Sequence, residues 1–167
     1  MVRMLKLLKV LLLSFFLTIA ACLDREEYPV EPIIEFVDFE QIDMHKGLLT
    51  FSFTDGDGDI GRHDGDSTTN DFFIFYFFVE NQQPHEIIIE APDDPSWSPH
   101  MKLPYITPSG RNKAISGEIE IEVFMPVFNH NNQPILQGDT IFMEFYIRDR
   151  ALNKSNVERT PYITVVR

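Results

Sequence analysis

Five aspartates crowd into one short stretch, DGDGDIGRHDGD: Asp55, Asp57, Asp59, Asp64 and Asp66. Aspartates at alternate positions of a tight loop can turn their carboxylates toward one point, and Gly56, Gly58 and Gly61 permit the curvature this requires. A hard cation such as Ca²⁺ takes about six to eight oxygens at about 2.3–2.6 Å. Carboxylates at this density repel one another, and a divalent ion relieves the repulsion. The residue types therefore point to a Ca²⁺ loop, with affinity expected in the weak extracellular range of about 10⁻⁴–10⁻³ M. A solvated acidic turn with no ion is the competing reading.

The loop matches an EF-hand only in part. Counting Asp55 as the first position, Asp57 and Asp59 fill the third and fifth, but Ile60 stands where glycine is required and Asp66 where a bidentate Glu is expected. The flanks also read as strands. LLTFSFT (48–54) sets Leu49, Phe51 and Phe53 on one face and Thr50, Ser52 and Thr54 on the other. GEIEIEV (117–123) alternates Glu118, Glu120 and Glu122 with Ile119, Ile121 and Val123, and TIFMEFYIRD (140–149) sets Ile141, Met143, Phe145 and Ile147 on one side. IIEFVDFE (33–40) alternates in part; DFFIFYFFVE (71–80), HEIIIE (85–90) and PYITVVR (161–167) complete seven runs. No segment longer than a turn or two has a helical period, and the prolines lie between the runs. The expected fold is all-β, an immunoglobulin-like or fibronectin-like β-sandwich of about seven strands over residues 33–167. In such a sandwich the loops after the second, fourth and sixth strands share one end. Asp149 and Asn153 of DRALNKSN (149–156) then join the aspartates as candidate ligands, or else simply build their own turn.

The N-terminus carries a different signal. Arg3, Lys6 and Lys9 precede the apolar run VLLLSFFLTIAA, too short for a comfortable membrane span, and small residues precede Cys22. IAAC (19–22) resembles a bacterial lipobox. The resemblance implies that residues 1–21 are a lipoprotein signal peptide and that Cys22 becomes a lipidated N-terminus, with 22–32 as a tether. Cys22 is the single cysteine of the chain, so no intramolecular disulfide can form. Leu23 follows it where Asp would favour inner-membrane retention, which points to the outer membrane, facing the periplasm or the cell surface. CLDREE resembles the acidic surface-export signals of Bacteroidota lipoproteins, and LTFSFTDGDGDIG combined with IRDRALNKSN resembles a family of uncharacterised Bacteroidota lipoproteins with an Ig-like domain.

The formal net charge of −12, before loss of the basic leader residues, argues against nucleic-acid partners and against docking of the protein surface on anionic lipid. His45, His63, His85, His100 and His130 show no pair at ligand spacing, so the sequence offers no zinc motif. It also lacks a phosphate loop, a nucleophile elbow or a paired catalytic motif, so no enzyme is expected. The strand at 71–80 is apolar on both faces, whereas a two-layer sandwich strand normally keeps one polar face. Either the long loop 91–114 covers it, with Trp97 and Tyr105 forming a second small core, or it is an aromatic binding patch. On the second reading Trp97, Tyr105, Tyr76 and Tyr146 are candidate ligand-stacking residues. The function expected is a membrane-anchored, non-enzymatic interaction module with an envelope protein as partner. The alternative is a glycan-binding accessory of a surface nutrient-uptake system.

Overall fold

A computed structural model describes residues 27–63, 65, 69–89 and 98–166. Eight strands and no helix occur among them: β1 (Ile33–Gln41), β2 (Lys46–Asp55), β3 (Phe72–Glu80), β4 (Gln83–Ile87), β5 (Ile115–Phe124), β6 (Thr140–Ile147), β7 (Glu158–Arg159) and β8 (Ile163–Thr164). One sheet has the order β1-β2-β5; the other runs β4-β3-β6, with β7 and β8 sharing the far edge of β6. All pairings are antiparallel. Three strands facing four, with β7 and β8 counted as one interrupted strand, is the immunoglobulin-like sandwich arrangement.

The two sheets face each other through the alternating residues. Leu49, Phe51 and Phe53 of β2 and Ile119, Ile121 and Val123 of β5 meet Phe72, Ile74 and Tyr76 of β3 and Ile141, Met143, Phe145 and Ile147 of β6. Phe51, Phe72 and Phe145 form the centre, with ring centroids 5.6–5.9 Å apart. Burial of each such side chain stabilises the fold by roughly 1.5–3 kcal/mol.

Two irregularities explain where the sequence pattern was imperfect. The register of β1 against β2 shifts between Phe36 and Asp38. This bulge adds one residue, so Phe36 and Phe39 both pack against the core although three positions separate them. At the other edge, Pro161 has no N–H to offer, and the last strand breaks into β7 and β8. Thr160 bridges the gap: its N–H bonds Met143 O at 3.0 Å, and its Oγ1 accepts from Met143 N at 3.0 Å.

The strand β1 edge is stitched to the C-terminal segment by side-chain amides. Asn156 accepts from Ile34 N and donates to Ile34 O, both at 2.8 Å. Gln41 does the same for Val166, at 2.9 and 2.6 Å. Both ends of this edge are thereby occupied and kept from pairing with another chain.

The edge of β3 shows a related device. β4 covers it only from Tyr76 to Glu80, and the chain returns to it at Met101, which pairs with Phe72. In the gap, Ile74 N donates to His100 Nδ1 at 3.2 Å. Burial holds the His100 imidazole below its ordinary range, which favours an unprotonated acceptor there.

Candidate functional site

The end of β2, the starts of β1, β3 and β5, and the end of β6 lie at one end of the sandwich, as the strand order requires. The acidic loop leaves β2 here. Its curvature depends on Gly58 (φ +66°) and Gly61 (φ +70°); a Cβ at these positions would collide with the Lys113 and Pro104 carbonyls. Gly56 N donates to Pro29 O at 2.7 Å, which fixes the incoming N-terminal segment against the loop.

Asp55, Asp57 and Asp59 each bring one carboxylate oxygen to within 4.8 Å of the others. Asp55 is fully buried, at 0% exposure; Asp59 is half-buried and Asp57 exposed. Asp55 Oδ2 accepts from Asp59 N at 3.0 Å, and Asp59 Oδ2 accepts from Ala151 N at 3.1 Å. The second oxygen of each, Asp55 Oδ1 and Asp59 Oδ1, is buried with no donor among the described residues. Burial pushes the Asp55 carboxyl up to about 6; the Asp59 N–H draws it down, and the neighbouring Asp57 carboxyl pushes it up again. Asp59 is raised too, by burial and then by the charges of Asp149 and Asp57, against the pull of Arg150. Two buried oxygens without donors among the described residues, on Asp55 and Asp59 and beside the exposed Asp57 carboxyl, form a cradle that could accept a proton or a cation.

Asp149 and Asn153 do arrive at this end, but their side chains serve their own turn. Asp149 Oδ1 accepts from Asn153 N, and Asp149 Oδ2 from Asn153 Nδ2, both at 2.8 Å. Both Asp149 oxygens thus have donors already, and the pair is a turn-builder rather than part of the ligand set. Asp64 and Asp66 lie outside the described residues, as do Cys22 and Trp97.

The residue that sequence reasoning passed over is Arg150. Its Nη1 donates to Ile60 O (2.8 Å), Gly61 O (2.9 Å) and Ile106 O (3.2 Å), and its Nη2 to Thr107 Oγ1 (2.6 Å). Its own N–H bonds Asp59 O at 3.1 Å. One guanidinium therefore joins the acidic loop, the 103–107 segment and the turn after β6. An arginine beside Asp149 in a strongly acidic loop end was the available signal. Arg62 adds a second brace: its Nε lies 2.6 Å from Oδ1 of buried Asp71, and its Nη2 bonds Asp149 O at 3.3 Å.

The aromatic candidates separate. Tyr76 is 1% exposed and sits in the central core, so it is corrected from ligand-stacking residue to core residue. Its inward parity on β3, shared with Phe72, Ile74 and Phe78, is the reason. Tyr105 does not join a second core over the outer sheet face. It lies at the acidic end, stacked on His63 at 3.6 Å with Arg150 4.4 Å from its ring centre. Tyr146 does lie on the outer face, stacked on Phe73 at 4.7 Å, beside the Phe77–Phe142 pair at 4.7 Å. Cationic side chains roof these rings: Arg148 over Phe73, Lys154 over Tyr146 at 4.0 Å, and Arg159 over Phe142 at 3.8 Å. His100 adds a partial cover, 5.2 Å from Phe73 and 5.3 Å from Phe75. The second apolar face of β3 is thus covered largely by the long stems and charged heads of its neighbours.

Comparison with protein-family models, with curated proteins and with solved structures finds no match to this chain.

Proposed function

We propose that this protein is a lipid-anchored, non-enzymatic interaction module of the bacterial outer envelope, with Ca²⁺ organising its acidic end. The observation that carries the calcium reading is Asp55: a fully buried carboxyl with one oxygen lacking any donor, gathered with Asp57 and Asp59. A buried, unpaired carboxylate is costly, and a cation offsets that cost where a proton is the alternative. Asp55, Asp57 and Asp59 would supply the carboxylate oxygens, and water and backbone carbonyls the remainder. The lipobox-like IAAC supports the anchor, through Cys22, and the resemblance to Bacteroidota lipoproteins supports the compartment. The partner is an envelope protein on this reading. The glycan-accessory alternative draws less support, because Tyr76 is core and the face around Tyr146 is roofed by cations.

Thermal unfolding of the purified full-length chain in detergent tests the calcium reading, in EDTA and in about 1–5 mM Ca²⁺, with Mg²⁺ as control. At ten times its dissociation constant Ca²⁺ adds about 1.4 kcal/mol, a rise in Tm of a few degrees. Asp57→Asn should abolish the rise. An unchanged melting temperature at millimolar Ca²⁺ rejects the ion. The anchor is tested separately by membrane fractionation of Cys22→Ala, which should move to the soluble fraction.

A further inference from the structure

Three side chains from three separate segments meet at the opposite end of the sandwich. Glu80 ends β3, His85 lies on β4 across from Phe78, and His130 stands at the tip of the 126–138 loop. Each offers a ligand atom, and these atoms lie within 4.8 Å of one another. The His85 and His130 rings stack at 4.1 Å with 11° between their planes, and His130 Nε2 is 4.0 Å from Glu80 Oε2. We propose that Glu80, His85 and His130 form a binding site for a divalent transition ion of the Zn²⁺ type, independent of the acidic loop.

Both supporting turns are tightly defined. Asn81 (φ 51°) and Gln82 (φ 64°) are both left-handed, the signature of a two-residue hairpin that fixes Glu80 opposite Gln83. In the other loop Asn129 N bonds Gln133 O at 2.8 Å, and Asn129 Oδ1 accepts from Asn131 N and Gln133 N at 2.9 and 3.0 Å. His130 is therefore presented by a turn closed on both sides, not by a free loop.

The donor set selects the ion class. Two imidazoles and one carboxylate suit Zn²⁺ and its neighbours, whereas Ca²⁺ prefers oxygen ligands alone. Tetrahedral Zn²⁺ with bonds of about 2.0–2.2 Å holds its donors about 3.4 Å apart. The His85 and His130 rings, stacked at 11°, must turn out of their parallel arrangement to aim both lone pairs at one ion. Asn131 Nδ2 lies 2.8 Å from His130 Nε2. With Nε2 as the acceptor, this contact uses the lone pair an ion would take, so an ion bound there displaces Asn131. Among the described residues His130 Nδ1 is buried with no hydrogen-bond partner, and the ring is held by packing on His85 and Phe78. Three protein ligands leave one position open to water.

The test is a ZnCl₂ titration of the full-length chain in detergent, without a polyhistidine tag, with free ion read by a chromogenic chelator. The expected result is one saturable ion per chain, with His85→Ala and His130→Ala each weakening binding by at least about tenfold. Glu80→Gln, at an exposed position, should weaken it too and keeps the test valid if a histidine variant fails to fold. Asp57→Asn should leave Zn²⁺ binding unchanged. Absence of saturable binding overturns the site, as does binding that survives in folded His85→Ala and Glu80→Gln or that disappears in Asp57→Asn.

Discussion

The two ends of the sandwich each gather three ligand-bearing side chains, yet they are built in opposite ways. At one end Asp55, Asp57 and Asp59 come from five consecutive positions, Asp55 is fully buried, and Arg150 bolts three segments around them. At the other, Glu80, His85 and His130 come from three segments; Glu80 is exposed, and the His130 turn is held by its own Asn129 rather than by a brace from elsewhere. The difference decides what happens without an ion. A buried carboxyl with one oxygen lacking a donor favours a proton, so an ion at the acidic end, as proposed, would contribute to stability. At the histidine end Glu80 is exposed and His85 and His130 are only partly buried, so an ion bound there would come and go at less cost to the fold, although His130 Nδ1 is itself buried.

The largest expected effect breaks the acidic end alone. Arg150→Ala removes a charged donor from three backbone carbonyls and uncovers the Tyr105 ring. It should cost about 3 kcal/mol, measured by urea denaturation, and hydrogen exchange should quicken at Ile60 and Ile106 while the 128–134 turn stays protected. A loss below about 0.5 kcal/mol would show that the guanidinium bonds are replaced by water without penalty.

Proton linkage sharpens the comparison next. The Asp55 carboxyl is raised in the folded state to about 6. Its contribution is therefore fully present below the unfolded value of about 3.9 and is lost as pH rises through about 6. In EDTA the protein should gain about 1–3 kcal/mol between pH 7.5 and pH 5, with part of the gain from Asp59, which shifts in the same direction. Saturating Ca²⁺ holds both carboxylates ionised, so its stabilisation should fade over the same interval. A thermal stability in EDTA that falls steadily from pH 7.5 to 5 contradicts this assignment.

Smaller effects follow from crossing the two ends. Asp57→Asn in EDTA removes a like charge beside Asp55 and should leave stability unchanged or raise it by less than about 1 kcal/mol. His130→Ala in EDTA should cost less than about 1 kcal/mol and leave the Ca²⁺ response intact. A large loss in His130→Ala would mean that the stacked histidines are structural and that the two ends are not as different as their burial indicates.

Much of the fold was legible because alternation is a local signal. The glutamate-isoleucine alternation from Glu118 to Val123 reads directly as β5, and Leu49, Phe51 and Phe53 as the inner face of β2. The strand order then placed the loops after β2, β4 and β6 at one end, and Asp149 near Asp59. Local chemistry failed where a non-local partner decided the outcome. Nothing in IIEFVDFE announces a bulge, whereas DRALNKSN did offer the turn that Asp149 and Asn153 build. Tyr76 was misplaced because an aromatic strand apolar on both faces hides which parity points inward. His85 and His130 lie far apart in sequence, and only the closure of two unrelated turns makes them neighbours.

The bond from Gly56 N to Pro29 O has a consequence for how the molecule stands. It fixes the N-terminal segment at the acidic end, and Cys22 lies six residues before Tyr28. Even fully extended, that stretch reaches about 20 Å. With Cys22 acylated as proposed, the protein is a short post whose foot is the acidic end. Its head, the histidine end, stands roughly 30 Å farther out, the length of β2 at about 3.3 Å per residue. Calcium in the foot would then also shield its carboxylates from anionic headgroups beneath, letting the post stand close to the bilayer while its head faces outward.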